Sequence, residues 1–178
     1  MLLLGCKPRG RNTEQHDIFF AIGASLKDLK PSIEAFWPAA EGRIHIDSWR
    51  EVTAVDGFTI RIEERGSNIS TNNNKLFFLN LGGYKPHDLE EYHYKLVGVA
   101  SDRGKAIDAA KQTAFYKHCG FPGATSHIDD KYGIDVDDIY EIEDILPEVI
   151  KSKYHISIIP GFSKEDVLNI GYLKLTKI

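Results

Sequence analysis

Apolar and polar positions alternate in short runs along most of the chain, and two longer stretches with helical spacing interrupt that period of two. Leu2–Cys6 and Leu76–Leu81 are apolar runs that read as strands. Asp17–Ala24 and Tyr92–Ala100, β-rich and mostly apolar, predict a second strand in each half. Ser25 and Ser101 then stand as N-caps for two helices. In the first helix Leu29, Ile33, Phe36 and Trp37 form the apolar stripe, and Pro31 inside it suggests a start at that residue. In the second, Ala106, Ile107, Ala110, Ala114 and Phe115 form the stripe, with Lys105, Lys111 and Lys117 outward. A short strand follows each helix, Arg43–Asp47 or Ser126–Asp129, and then a last one, Phe58–Ile62 or Tyr140–Ile142. The remainder predicts a strand at Tyr154–Ile159, a helical turn at Ser163–Leu168 and a final strand at Gly171–Ile178.

The same order of elements occurs twice, and the residues repeat with it. A shift of 77 places Leu2, Leu4, Gly5, Glu14 and His16 on Leu79, Leu81, Gly82, Glu91 and His93. A shift of 82 places His45-Ile46-Asp47 on His127-Ile128-Asp129. Residues 64–75 are polar and without periodicity, and read as the connection. The expected fold is α+β: tandem duplicated β-β-α-β-β units packed together, sheets with helices on one face. The first repeat is residues 1–63, the connecting segment 64–75 and the second repeat 76–146, with 147–178 expected to complete the second half. Each unit is small for an independent core, so the two are expected to pack on one another.

Two spacings carry candidate chemistry. Residues two apart on a strand share a face, so Glu14 pairs with His16, His45 with Asp47, Glu91 with His93 and His127 with Asp129. If the strands of one copy are neighbours, two imidazoles and two carboxylates converge. Such a set suits a divalent metal, or a general base with its orienting carboxylate. It equally suits a structural ion-pair network. Lys7, Arg9 and Arg11 form a second candidate, an anion-binding loop, whose plainer reading is a solvated surface loop. The nine acidic residues between Asp129 and Glu148 read as a solvated acidic edge. Phosphate-binding glycine loops, nucleophile elbows and Cys-x-x-Cys motifs are missing from the sequence, so no catalytic residue, cofactor or metal is assigned and enzymatic activity stays open.

Charge and cysteines narrow the partners. Twenty-two Lys and Arg against 26 Asp and Glu give a net charge of −4, which argues against nucleic acid as a partner. The two cysteines, Cys6 and Cys119, make no disulfide framework and suit a reducing, cytoplasmic setting. Leu3-Leu4-Gly5-Cys6 is similar to a lipobox, but the residues before it make no signal peptide, and a strand is expected there. No apolar run is long enough to span a membrane.

The polar positions also carry a resemblance. Gly82-Gly83-Tyr84-Lys85-Pro86, Glu91-Tyr92-His93 and His127-Ile128-Asp129 in the second copy, with Glu14-Gln15-His16, His45-Ile46-Asp47-Ser48-Trp49 and Val55-Asp56-Gly57 in the first, resemble the bacterial family catalogued as domain of unknown function 1543. That resemblance implies one or two copies of the unit and no established activity, substrate or cofactor. The leading expectation is therefore a non-enzymatic binding or interaction module with an unknown ligand or protein partner and unknown oligomeric state. The alternative is a small metal-binding protein or enzyme that uses the His and carboxylate cluster.

Overall fold

Three antiparallel sheets and two main helices account for most of the chain in the computed structural model, which describes residues 1–66, 73–84, 87, 89–118, 135–161 and 164–178. The first sheet is built on β1 (Leu2–Cys6), with β2 (Gln15–Phe19) on one side and β3 (His45–Trp49) on the other. Alternation on β1 places Leu2, Leu4 and Cys6 on one face, where they pack against Leu29 and Ile33 of α1 (Leu26–Phe36). Leu3 and Gly5 belong to the opposite face. Ser25 caps α1, its hydroxyl accepting from the Asp28 amide and donating to the Asp28 carboxylate. The helix therefore starts at Leu26 and carries Pro31 inside it, rather than starting at Pro31. The cap satisfies a free amide of the first turn and fixes the start upstream of the proline.

After β3 the chain forms a tight hairpin, β4 (Ala54–Val55) and β5 (Phe58–Glu64). Asp56 and Gly57, both at positive φ, supply the two central residues. The second sheet centres on β6 (Lys75–Tyr84), flanked by β7 (Glu91–Ala100) and β8 (Asp135–Glu141). Phe77, Leu79 and Leu81 face Ala106 and Ala110 of α2 (Arg103–His118). Asp102, not Ser101, holds the first turn of this helix, its carboxylate accepting from the Lys105 amide at 3.0 Å. The sequence places the third strand of this half at Ser126–Asp129, which lies outside the described residues, and a last strand at Tyr140–Ile142. The strand beside β6 is β8, so residues 135–141 of the acidic run form the edge strand of this sheet, with Asp137 and Asp138 exposed.

Two short helical turns, α3 (Ile142–Ile145) and α4 (Glu148–Lys151), lead to β9 (Tyr154–Pro160) and β10 (Asn169–Lys174). These last strands do not complete the second half as expected. β9 pairs with β5, and β10 pairs with β3 at the edge of the first sheet. The apolar residues decide this: Ile158 enters a core with Phe20, Val55, Ile60, Leu76, Phe78 and Ile142, and Leu175 enters the core under α1. The helical turn expected at 163–168 is absent from its described part.

The shared core joins the halves. Phe20 and Phe78 place their rings 5.5 Å apart, and the Asp56 carboxylate of the hairpin accepts the Val99 amide of β7 at 2.8 Å. Among the described residues no helix is long and apolar enough to cross a membrane.

Strand registers in the two halves match. Gly5 lies opposite His16 on β2 and His45 on β3, and Gly82 lies opposite His93 on β7 and Asp135 on β8. Both third strands carry one extra residue at the same place, Asp47 between Ile46 and Ser48 and Asp137 between Val136 and Asp138. From 45 to 135 the offset is 90, not 82.

Two outcomes test this packing. Ile158→Ala should cost about 2–5 kcal/mol, as truncation in a dense core does, and denaturant unfolding should remain one transition; two separate transitions would contradict the shared core. The Lys105 amide, and next the Ser101 hydroxyl, hold the Asp102 carboxyl below its ordinary value. A depressed folded-state value means a contribution present above the unfolded pKa and lost as pH falls through the folded one. Asp102→Ala should therefore lower the thermal midpoint at neutral pH, and that difference should shrink toward zero in acid.

Candidate functional site

The face of the first sheet away from α1 carries the polar cluster. Gly5 is the centre of a cross-strand row, with His16 on one side and His45 on the other. Glu14, two residues before His16, and Asp47, two after His45, complete the set. Strand spacing alone brings Glu14 to the side of His16. The bulge aims Asp47 at the same point, because the extra residue of β3 stands outside the ladder with β1.

The four side chains meet through short contacts. His45 Nε2 lies 2.8 Å from Glu14 Oε1 and 3.2 Å from Asp47 Oδ1. His16 Nε2 lies 3.3 Å from Asp47 Oδ2 and 3.6 Å from Glu14 Oε1. Both imidazoles thus present Nε2, and each Nε2 faces two carboxylates. One atom from each of Glu14, His45 and Asp47 falls within 4.8 Å of the others. Asp47 Oδ2 is buried and accepts no hydrogen bond.

Gly5 makes the space for this arrangement. A Cβ there would sit 2.5 Å from His45 Nε2, 2.6 Å from Asp47 Oδ2 and 2.8 Å from Glu14 Oε1. The cluster has a closed back and an open front. The His45 side chain is 8% exposed, while those of Glu14 and His16 are each 44% exposed. Tyr172 of β10 closes the back, its ring 4.3 Å from the His45 ring.

The second half repeats part of this. His93 Nε2 lies 3.2 Å from Asp137 Oδ2, and a Cβ at Gly82 would collide with the Asp137 carboxylate. Glu91 opens β7 opposite Tyr84; its side chain lies outside the described residues, as do His127 and Asp129. Of the eight residues proposed from sequence, the structure brings Glu14, His16, His45 and Asp47 together and places His93 against Asp137. Lys7, Arg9 and Arg11 are exposed in the loop between β1 and β2 and make none of these contacts.

Sequence reasoning missed Asp137 and Tyr172. The signal for Asp137 was present in Asp135-Val136-Asp137, an acid-x-acid pair with the same-face spacing of His45-Ile46-Asp47. Nothing local marks Tyr172, whose role depends on the β3–β10 pairing.

Cys6, next to Gly5, faces the opposite way into the core, and burial raises its thiol above the ordinary value. It takes no part in the cluster.

Comparison with known proteins adds the following. No curated protein matches the chain. The fold is similar to that in the crystal structure of a protein Il1583 from Idiomarina loihiensis, with a TM-score of 0.65 and 22% identity over 98% of this chain and 94% of that one. At that identity the likeness is one of fold. Residues 11–62, which contain Glu14, His16, His45 and Asp47, match the model of a domain of unknown function, DUF1543.

Proposed function

We propose that the protein is a binding module made of two fused copies of one unit, and that Glu14, His45 and Asp47, with His16 beside them, hold a divalent transition-metal cation. The observation that carries the cation reading is the convergence of one ligand-type atom from each of Glu14, His45 and Asp47 above a bare glycine, with His16 in contact with both carboxylates. A cation bound at about 2.0–2.2 Å keeps neighbouring ligand atoms roughly 3–3.5 Å apart. The four contacts, from 2.8 to 3.6 Å, fall around that spacing. An imidazole nitrogen has one hydrogen or one lone pair to offer, and neither serves two carboxylates at once. A cation between them does. It would also give a partner to Asp47 Oδ2, which accepts no hydrogen bond, and offset two carboxylates held within 4.8 Å of each other. Mixed imidazole and carboxylate ligands suit zinc or manganese.

The tandem reading rests on matched registers, matched glycines and the matched aspartate bulge. Duplication often fuses what was a symmetric dimer.

A second reading is favoured by the 2.8 Å contact between His45 and Glu14, which suits a direct ion pair. The cluster would then be a brace for the first sheet under a surface that binds by other means.

Metal analysis and calorimetry separate these. The cation reading expects one zinc or manganese per chain, removed by chelation. Asp47→Asn should weaken binding by at least roughly tenfold. The metal-free Asp47→Asn protein should be no less stable than metal-free wild type, since one of two adjacent carboxylates has lost its charge. The brace reading expects no stoichiometric metal and a lower thermal midpoint for the same variant. Gly5→Ala should abolish metal binding, and overpacking should cost about 1–3 kcal/mol of stability. Retained binding in Gly5→Ala would contradict the geometry.

A further inference from the structure

An open cleft of about 420 Å³ lies in front of the cluster, between the two halves of the chain. Glu14 and His16 of the first half line one wall, and Tyr92, His93 and Lys95 of β7 line the other. The strands explain why it is polar. His16, Ile18 and Phe20 share one face of the β2 segment, and His93, Lys95, Val97 and Val99 share one face of β7. Ile18, Phe20, Val97 and Val99 enter the core common to both halves. The cleft is the polar continuation of that core, where the two strands carry His and Lys instead of apolar side chains.

Resting on the cation reading above, we infer that this cleft binds a small molecule bearing a carboxylate or phosphate, which bridges the cation and Lys95. Glu14, His45 and Asp47 as ligands leave one position on a four-coordinate ion and three on a six-coordinate one. His45 and Tyr172 close one side, so the open positions face the cleft through the exposed edges of Glu14 and His16. Lys95 is half-buried in the opposite wall, on the same face as His93. Among the described residues it has no ion-pair partner, although Glu14 and Glu90 line the same cleft. A cation on one wall and an ammonium on the other select an oxyanion between them. Lys95 has no role in holding the cation.

The test uses the full chain loaded with Mn²⁺, followed by electron paramagnetic resonance. Inorganic phosphate and succinate are titrated separately, and paramagnetic relaxation of ³¹P and of the succinate carboxyl ¹³C is read; Asp47→Asn protein gives the background. The expected result is saturable relaxation of one anion, which also tells phosphate from carboxylate chemistry. Lys95→Gln should weaken that anion by roughly tenfold with Mn²⁺ affinity unchanged, and Lys27→Gln, on the exposed side of α1, should change neither. Bound Mn²⁺ with no relaxation of either anion above background would overturn the inference and leave the cation site standing. An anion affinity indifferent to Lys95→Gln would overturn it as well. Failure of Mn²⁺ to bind would overturn the cation reading, and this inference with it.

Discussion

Gly5 has no side chain, and the site exists because of that. It lies mid-sheet, between two strands that each present a histidine toward it. On an ordinary strand residue a Cβ would occupy the point where His45 Nε2, Asp47 Oδ2 and Glu14 Oε1 now meet. The other face of the same strand shows the contrast: Leu2, Leu4 and Cys6 are large enough to fill the space under α1, and all three are buried. One strand thus serves two purposes through its alternation. Its even positions build the core, and its one glycine leaves a recess that polar groups from three directions can share.

The recess is completed by an irregularity in the ladder. With perfect pairing, Asp47 would have a partner on β1. The extra residue in β3 frees it, and the β10 edge adapts with its own shift between Ile170 and Leu173. Gly171, at φ 139, lies within that shift, a conformation that side chains rarely adopt. Tyr172 follows and is carried over His45. A single bulge therefore sets both the aim of a carboxylate and the position of the aromatic lid behind it. The second half has the same bulge at Asp137 and the same glycine at Gly82, but Asp135 stands where the first half has His45. The two halves share a geometry and differ in donor chemistry.

Much of this was legible in the residues. Leu2, Leu4 and Cys6 alternate as a strand over a core should, Ser25 and Asp28 announce a helix start, and the 77-residue shift finds Gly5 and Gly82 with His16 and His93. The second shift rests on identity: His127-Ile128-Asp129, outside the described residues, matches His45-Ile46-Asp47 letter for letter, whereas the strand paired with β6 is Asp135-Val136-Asp137, which matches in shape but only partly in identity. Backbone hydrogen bonding fixes strand partners without regard to which polar side chain is carried. The fates of β9 and β10 were hidden for a related reason. Their partners, β5 and β3, are about a hundred residues away in sequence, and local patterning contains no information on which open edge a strand will meet.

The core common to both halves explains why the cluster opens onto a cleft lined by both of them. The rings of Phe20 and Phe78 meet at a tilt of 59°, and Ile18 packs into the same core as Val97 and Val99, which fixes β2 relative to β7. Two residues nearer the polar end of each strand, side chains change from apolar to ionisable, and the strands can no longer close on one another without desolvating charge. Separation at that point follows from the sequence of each strand alone. The residues left at the opening, Glu14 and His16 on one wall and His93 and Lys95 on the other, come from halves that make their own sheets. Neither half by itself has both walls, so the cleft exists only in the joined pair.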